Sequence, residues 1–135
     1  MSAVTAMNLE IIITESAIDE AILEQGCPMS DGMGAVVRFL GVVRGREEDG
    51  PIRAIRYEAY EAMARHQFDV ILEEVARRWP VGSVRLVHRV GVVPVGEPSL
   101  WVEVVSPHRA EAFAACQYLI DDMKRVVPIW KRPQS

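Results

Sequence analysis

The sequence predicts one α+β domain over residues 1–135, with three main helices and a mixed, mainly antiparallel sheet. Segments with strand-like and helix-like periodicity follow in the order strand, helix, two strands, helix, two strands, helix. The connections within each strand pair are too short for the crossover that parallel strands need, so antiparallel pairing is expected. Half of the residues are apolar, which is enough for one core and leaves a surplus that favours burial against another chain.

The N-terminal part of the chain predicts a tail, a strand and a first helix. Residues 1–7 are small and unpatterned, and we expect a disordered tail there. Residues 9–14 contain three consecutive isoleucines and predict a strand. Ser16 then opens a sequence that resembles a capping box, with Asp19 at the third helical position, and Gly26 ends the helix.

A second strand and a hairpin are predicted next. Residues 34–44 form an apolar run, and Gly41 within it indicates a bulge or a close approach by another backbone. After the charged loop 45–51, residues 52–60 alternate apolar and polar side chains, as a half-buried antiparallel strand does. We therefore expect these two strands to pair as a hairpin, with the acidic loop exposed to solvent.

Residues 61–79 predict an amphipathic helix that Pro80 ends. The side chains expected on its core face are Met63, Phe68, Ile71, Leu72, Val75 and Trp79. His66 lies on the opposite side and is expected at the surface. Residues 83–90 alternate again and predict a strand, in which His88 shares a face with apolar residues and is expected in a core or an interface.

The C-terminal third predicts a turn over residues 90–99, a strand over 100–106 and a helix over 106–127. Ser106 is the expected N-cap of that helix and Pro107 its first residue. His108 and Arg109 then fall in the first turn, where the helix dipole disfavours cations. A bound anion would remove the conflict, because backbone N–H groups and two side-chain donors would converge on it.

The chain contains two lysines, Lys124 and Lys131, against thirteen arginines. An ammonium group can lose a proton, act as a base or grip an oxyanion, whereas a guanidinium group cannot be deprotonated at working pH. The alternative for Lys124 is a solvated charged face, since Asp121 and Asp122 precede it at ion-pair spacing. Arg44, at the exit of the second strand, is a third candidate cation and is otherwise an ordinary surface arginine.

Distance along the last helix sets a constraint on this candidate site. A helix from residue 107 to residue 124 is about 25 Å long, so His108 and Lys124 cannot line one compact pocket. Three explanations stay open: the ligand is long, a second subunit supplies part of the site, or the helix is interrupted.

Composition excludes several classes of function. The net charge of −4 argues against a general nucleic-acid binder. Cys27 and Cys116 lie far apart without metal-ligand spacing, so we expect buried free thiols and no metal site. No signal sequence or membrane-spanning run is present, and a cytoplasmic protein is expected. A Gly-rich loop between a strand and a helix, which a nucleotide site would require, is also missing.

Several motifs occur together in the order and spacing of a known family. They are GAVVRFLGVVR, YEAY, RWP, VHRVG, SPHRAEAF and MKRVVPIWK, and they cover residues 34–132. In these motifs the chain resembles the MoaE family, the large catalytic subunit of molybdopterin synthase. A set of ordered motifs is far more specific than any one of them.

The resemblance implies an α/β-hammerhead fold and a homodimer that binds two copies of a small ubiquitin-like, MoaD-like carrier, giving a heterotetramer. The carrier's Gly-Gly tail ends in a thiocarboxylate and threads into the catalytic subunit. Two sulfur transfers to cyclic pyranopterin monophosphate then form the dithiolene of molybdopterin, a step in molybdenum cofactor biosynthesis that needs no metal or other cofactor. The implied activity is that of a sulfurtransferase.

The resemblance also assigns roles to individual residues. Lys124 and Lys131 match the family's two catalytic lysines, the first beside the carrier's terminal carbonyl and the second at the pterin. The residues implied in substrate binding are Arg44, His108, Arg109 and, more weakly, Arg132, while Phe39 and the backbone around Val43 line the pocket. The family usually continues past the WK motif with a segment that helps to shape the site, whereas this sequence ends at KRPQS.

Two other functions remain open at this point. A degenerate relative could bind the carrier or a phosphorylated ligand without catalysis, and the short C-terminus favours this while the two lysines disfavour it. A Schiff-base lyase that uses Lys124 is the second alternative.

Overall fold

Nine strands and three helices follow one another in residues 8–135, the part of the chain that the computed structural model describes. In chain order they are β1 Asn8–Thr14, α1 Glu20–Gln25, β2 Ala35–Val42, β3 Arg46–Glu47, β4 Gly50–Pro51, β5 Ala54–Ala59, α2 Glu61–Arg78, β6 Ser83–Arg89, β7 Gly91–Pro94, β8 Pro98–Ser106, α3 Arg109–Val126 and β9 Ile129–Gln134. The predicted α+β class with three helices and mainly antiparallel sheets is confirmed. The predicted tail, residues 1–7, lies outside the described residues.

The central sheet has four strands in the order β1-β6-β8-β2. β1 runs parallel to β6, and the other two pairings are antiparallel. β8 lies between two neighbours and all its residues from Ser99 to Ser106 are buried, which explains its almost continuous apolar sequence. Both long helices pack against this sheet through the side chains Phe68, Ile71, Leu72 and Val75 of α2 and Ala112, Ala115, Leu119 and Met123 of α3.

A charged cluster occupies the interior beside α1. The carboxylate of Glu103, a residue with 0% exposure, accepts hydrogen bonds from Arg38 Nε at 2.8 Å and Arg85 Nε at 2.9 Å. The Arg85 guanidinium also lies over the Trp101 ring, 4.9 Å from its centroid, and donates to the Leu23 carbonyl at 2.7 Å. This cluster therefore attaches the short helix α1 to the central sheet, which α1 could not achieve alone because none of its residues is buried.

A second sheet has the strand order β7-β5-β9, and its pairings are all antiparallel. A small apolar cluster of Val43, Ile55 and Val93 supports it. The predicted hairpin between residues 34–44 and 52–60 is wrong, because β2 pairs with β8 while β5 pairs with β7 and β9. The two-residue strands β3 and β4 form their own ladder between them and carry the chain from one sheet to the other.

The start of α1 differs from its prediction. Asp19, not Ser16, is the N-cap, and its side chain accepts a hydrogen bond from the Ile22 N–H at 3.2 Å. Ser16 instead donates its N–H to the Thr14 hydroxyl oxygen at 3.0 Å. Both residue types can cap a helix, and the closer one to the helical segment does so here.

The start of α3 also shifts. His108, rather than Ser106, is its N-cap, and Ser106 ends β8, where its hydroxyl donates to the His108 carbonyl at 2.6 Å. The His108 N–H donates to the Glu111 carboxylate at 3.1 Å. Glu111 thus places a negative charge in the first turn, which offsets the conflict between Arg109 and the helix dipole without a bound anion.

Three further details differ from or agree with the sequence. Met63 of α2 is exposed, and Ala64 faces the core in its place. The predicted turn over residues 90–99 contains the strand β7, and β9 was not predicted at all. The bulge that Gly41 indicated is confirmed by a register shift between Gly41 and Val42.

No helix within residues 8–135 is long and apolar enough to cross a membrane.

We expect Gly34→Ala to destabilise the fold by about 1 kcal/mol, the lower end of the cost of overpacking, because Gly34 is exposed but a Cβ there would meet a backbone oxygen. Gly34 donates its N–H to Ser106 O at 3.1 Å, and a Cβ atom on it would lie 2.8 Å from the backbone oxygen of Pro107. Urea unfolding of this variant is compared with Gly32→Ala, where an added Cβ meets nothing within 4 Å. Equal urea midpoints for the two variants would show that the loop before β2 can shift to accommodate the added Cβ atom without loss of stability.

Candidate active site

A cleft of about 600 Å³ opens where the end of the central sheet, the end of α3 and the second sheet meet. Its lining residues come from β2, β5, β6, β8, β9 and α3 and from the segments after β2 and α3. They are Phe39, Gly41, Val42, Arg44, Tyr57, His88, Ser99, Leu100, Met123, Lys124, Val127, Ile129 and Lys131. Residues far apart in sequence therefore build one concave surface, which is the usual form of a ligand site.

The two lysines reach this cleft by different routes. Lys124 lies in the last turn of α3, which ends two residues later at Val126 and is followed by Val127 and Pro128. β9 then begins at Ile129 and pairs with β5, so that Lys131 lies opposite Tyr57. Since side chains alternate along a strand, Ile129 and Lys131 share the face that lines the cleft. The turn after α3 thus brings the two amines to one cavity.

Arg44 and Phe39 enter from the β2 side. Phe39 lies within β2 and is 39% exposed. Arg44 follows the strand just past the Gly41 bulge, and its side chain is 81% exposed with the Glu47 carboxylate at 3.9 Å. The ion pair between Arg44 and Glu47 is weak, because it is exposed to solvent and its two charged groups are far apart. The Arg44 guanidinium therefore remains available to a ligand.

The lining of the cleft carries a single sign of charge. Arg44, Lys124 and Lys131 line it, and no Asp or Glu does so among the described residues. The ion pair that would accompany a solvated charged face does not form at Lys124 in residues 8–135, because Asp122 pairs with Arg125 at 2.9 Å instead. Neither lysine has a carboxylate within ion-pair distance in residues 8–135. Clustered cations beside apolar walls favour an anionic organic ligand.

Sequence reasoning missed three polar residues of the cleft, Tyr57, His88 and Ser99. The rings of Tyr57 and His88 meet edge to face, with centroids 5.4 Å apart. His88 is only 6% exposed, and burial lowers its pKa from 6.5 although a hydrogen bond to the Arg89 carbonyl acts in the opposite direction. The alternating pattern of residues 83–90 placed His88 correctly among apolar side chains but could not show that a cleft reaches it.

Two other expected site residues lie outside the cleft. Arg132 points away from it, on the face of β9 opposite to Lys131, and forms an ion pair with Glu58 at 2.7 Å. The Val43 side chain is buried in the small cluster under the second sheet. Its backbone is occupied too, since its N–H donates to the Glu97 carbonyl and its own carbonyl accepts from Gly96.

His108 and Arg109 lie at the opposite end of α3 from Lys124. The helix is continuous from Arg109 to Val126, and fifteen residues at 1.5 Å each separate Arg109 from Lys124 by about 22 Å. Within one subunit the structure does not bring these two groups together. Of the three explanations for the distance, an interrupted helix is therefore wrong, and a long ligand or a second subunit remains.

Both thiols are free, but neither is poised for nucleophilic chemistry. Burial raises the pKa of the Cys116 thiol to about 11. Cys27 is half-buried, and burial followed by the nearby Glu103 charge raises its pKa as well. Among the described residues, no group of three or more His, Cys, Asp or Glu side chains has the arrangement of a metal site.

Comparisons with known proteins match this geometry to one family. The family model for the MoaE protein matches residues 13–126. The molybdopterin synthase catalytic subunit of Thermoplasma volcanium is 37% identical over 126 residues, which are 93% of this chain and 91% of the relative. The catalytic subunit of a Nostoc species is 44% identical over 100 residues, which are 73% of this chain but only 61% of the relative.

Solved structures agree with the sequence relatives. A crystal structure of molybdopterin synthase from Staphylococcus aureus superimposes with a TM-score of 0.81 at 33% identity, covering 92% of this chain and 88% of that one. A complex of subunits 1 and 2 of the molybdopterin-converting factor from Helicobacter pylori gives a TM-score of 0.71 at 27% identity, covering 93% and 83%. The resemblance found in the motifs is confirmed, and the chain belongs to the MoaE family.

Proposed function

We propose that this protein is the catalytic subunit of a molybdopterin synthase, a sulfurtransferase of molybdenum cofactor biosynthesis. It takes sulfur from the C-terminal thiocarboxylate of a small carrier and transfers it to cyclic pyranopterin monophosphate, which gains the dithiolene of molybdopterin. The names of the relatives support this activity. The observation that carries it is the meeting of Lys124, Lys131 and Arg44 in one cleft without a lining carboxylate.

Each cation has a role in this scheme. Lys124 lies beside the carrier's terminal carbonyl, where it stabilises the oxyanion of the tetrahedral intermediate or transfers a proton. Lys131 binds and polarises the pterin, and Arg44 holds its phosphate. Phe39 supplies an apolar wall for the planar ring system, while Val43 is buried with Ile55 and Val93 and has no direct contact with the ligand in this scheme. Arg132 is the weaker candidate, because a ligand would first have to displace its partner Glu58.

The partner we propose is a small ubiquitin-like, MoaD-like carrier that inserts its Gly-Gly tail into the cleft. The Helicobacter pylori relative was solved as a complex of two subunits, which supports a carrier-bound assembly here. An extended tail of two glycines fits a narrow cleft because it has no side chains to accommodate. The assembly is a homodimer with two carriers, and no nucleic acid or membrane takes part.

We further propose that His108 and Arg109 serve the cleft of the partner subunit. Both are exposed at the start of α3, with Arg109 about 22 Å along the helix from the Lys124 of its own chain, and of the two remaining explanations for this distance we favour a second copy. There they would add donors for the phosphate. The protein is expected to be one MoaE-like domain that works in the cytoplasm.

Reconstitution tests the proposed function. Purified protein, a thiocarboxylated carrier and cyclic pyranopterin monophosphate are mixed without metal, and molybdopterin is measured by its oxidised fluorescent derivative. We expect product with the thiocarboxylate and none with the same carrier ending in a carboxylate. Tight carrier binding without product would instead identify a non-catalytic binding module. Borohydride trapping of Lys124 by a carbonyl substrate would point to a Schiff-base lyase.

A further inference from the structure

His88 is a buried imidazole in the cleft to which the proposed mechanism gives no task. Its Nδ1 lies 2.8 Å from the Arg89 carbonyl oxygen, and a carbonyl only accepts, so Nδ1 carries the hydrogen. The other nitrogen, Nε2, then has a free lone pair. It has no protein hydrogen-bond partner in residues 8–135, and its residue lines the cleft.

The surroundings of His88 keep its ring neutral. The polar groups that line the cleft with it are Tyr57 from β5, Ser99 from β8, Lys124 from α3, Lys131 from β9 and Arg44 after β2. None is a carboxylate that would stabilise an imidazolium, and three are cations that oppose one. Burial lowers the pKa of His88 below 6.5 in the same direction. At neutral pH the cleft therefore contains a basic nitrogen whose direction the Arg89 carbonyl fixes.

The proposed reaction needs such a group at one step. Ammonium and guanidinium groups donate hydrogen bonds but cannot take a proton while they are charged. After the carrier's sulfur has attacked the pterin, a thioester joins the carrier's terminal glycine to the new sulfur substituent. Its hydrolysis by water requires removal of a proton from that water, and a positioned imidazole is the commonest general base for this task.

We propose that His88 is the general base that activates water for release of the carrier. Water oxygen forms a bond to the glycine carbonyl carbon while Nε2 takes one proton. The carbon–sulfur bond then breaks, and its electron pair stays on the pterin sulfur as a thiolate. The carrier leaves with a carboxylate after its new carboxylic acid loses the second proton to solvent. His88 returns the first proton to solvent, so no oxidant or reductant is consumed. This inference rests on the proposed function.

The test uses the complete synthase with His88→Asn, whose amide nitrogen can still donate to the Arg89 carbonyl but cannot act as a base. His66→Asn, on the exposed side of α2, is the matched control. In single turnovers we expect the carrier–pterin thioester to accumulate in His88→Asn and its hydrolysis to slow by about 100-fold or more. Carrier affinity and the formation of the thioester should stay within about threefold of wild type.

The pH profile separates a base from a structural residue. An imidazole is protonated below its pKa, and burial lowers the pKa of His88, so wild-type hydrolysis is expected to slow as pH falls through this lowered pKa, while His88→Asn should show no such limb. An equal loss at every pH with the limb retained would overturn the inference, as would an unchanged rate. In wild type, an NMR titration of the His88 ring should match the kinetic limb within one pH unit, which tests the inference even if the variant folds poorly. If wild type makes no molybdopterin, the proposed function itself fails.

Discussion

Replacing Lys124 with arginine is expected to leave less than about a tenth of wild-type dithiolene formation. The substitution keeps the positive charge but removes the ability to give up a proton, and general acid–base catalysis contributes about 100-fold to 10,000-fold. The planar guanidinium is also a poor replacement for the compact ammonium beside a tetrahedral oxyanion. Lys124 is exposed and has no carboxylate partner in the described residues, so the change should hardly affect stability.

Product formation in single turnovers with a thiocarboxylated carrier measures this effect. Arg125→Lys is the matched control, because it makes the reverse exchange one residue away, at a side chain paired with Asp122. We expect the control to keep at least half of the activity. If Lys124→Arg retained more than a tenth, Lys124 would be an electrostatic clamp and not a proton donor or acceptor.

Glu103→Gln is expected to destabilise the protein by about 3 kcal/mol or more at pH 7. The carboxylate has no exposure and bridges two arginines, and removal of one partner from a buried ion pair leaves uncompensated charge inside, at a typical cost of about 3–5 kcal/mol. Arg38 keeps a third of its side chain exposed and can recover part of its hydration, which favours the lower end of this range. Urea unfolding of both proteins measures the difference.

The matched control for Glu103 is Glu61→Gln, which removes the carboxylate of an exposed pair with Arg65 at 3.2 Å. Exposed pairs contribute about 0–1 kcal/mol, so this variant should unfold almost as the wild type does. Similar losses in the two variants would mean that the buried cluster is better hydrated than its geometry indicates.

At acidic pH, the wild type should lose part of the extra stability that it has over Glu103→Gln at neutral pH. Burial by itself raises the pKa of Glu103, but hydrogen bonds from Arg85 and Arg38 outweigh it and hold the pKa below its ordinary 4.5. A group with a lowered pKa in the folded state stabilises the fold above its unfolded pKa and loses this effect as pH falls through the folded one. The difference in the free energy of unfolding between wild type and Glu103→Gln should be constant from pH 5 to 8. It should become smaller below pH 4.5.

Periodicity was a reliable guide to elements but not to their partners. The 3.6-residue period of α2 located a helix within one residue of its ends, and the isoleucine run gave β1. Alternation in residues 52–60 equally revealed a strand. It carried no information on whether that strand joins β2, because pairing depends on contacts between distant segments. β9 lacked even this signal, since five of its six residues are polar, proline or partly exposed aromatic side chains.

The site was predictable in its chemistry and not in its assembly. Two lysines in a chain that otherwise uses arginine, together with the strand-exit Arg44, identified the cations that line the cleft. The cleft forms because β9 folds back and pairs with β5. Local sequence patterns therefore could not predict that Tyr57 and His88 line it. The start of α3 is a second example. Glu111 accepts a hydrogen bond from the His108 N–H and offsets the unfavourable placement of cations at this helix end, which the sequence analysis had not considered.

The antiparallel pairing of β9 with β5 also means that, during synthesis, the core can form before the cleft is complete. The buried core cluster is complete at Val127, whereas Lys131 leaves the ribosome later and gains its position only by pairing opposite Tyr57. A nascent chain that has emerged through α3 can thus pack its main layers while the cleft holds one amine instead of two. A stop codon or a protease cut between Val127 and Lys131 would therefore keep the buried core cluster and remove Lys131 from the cleft.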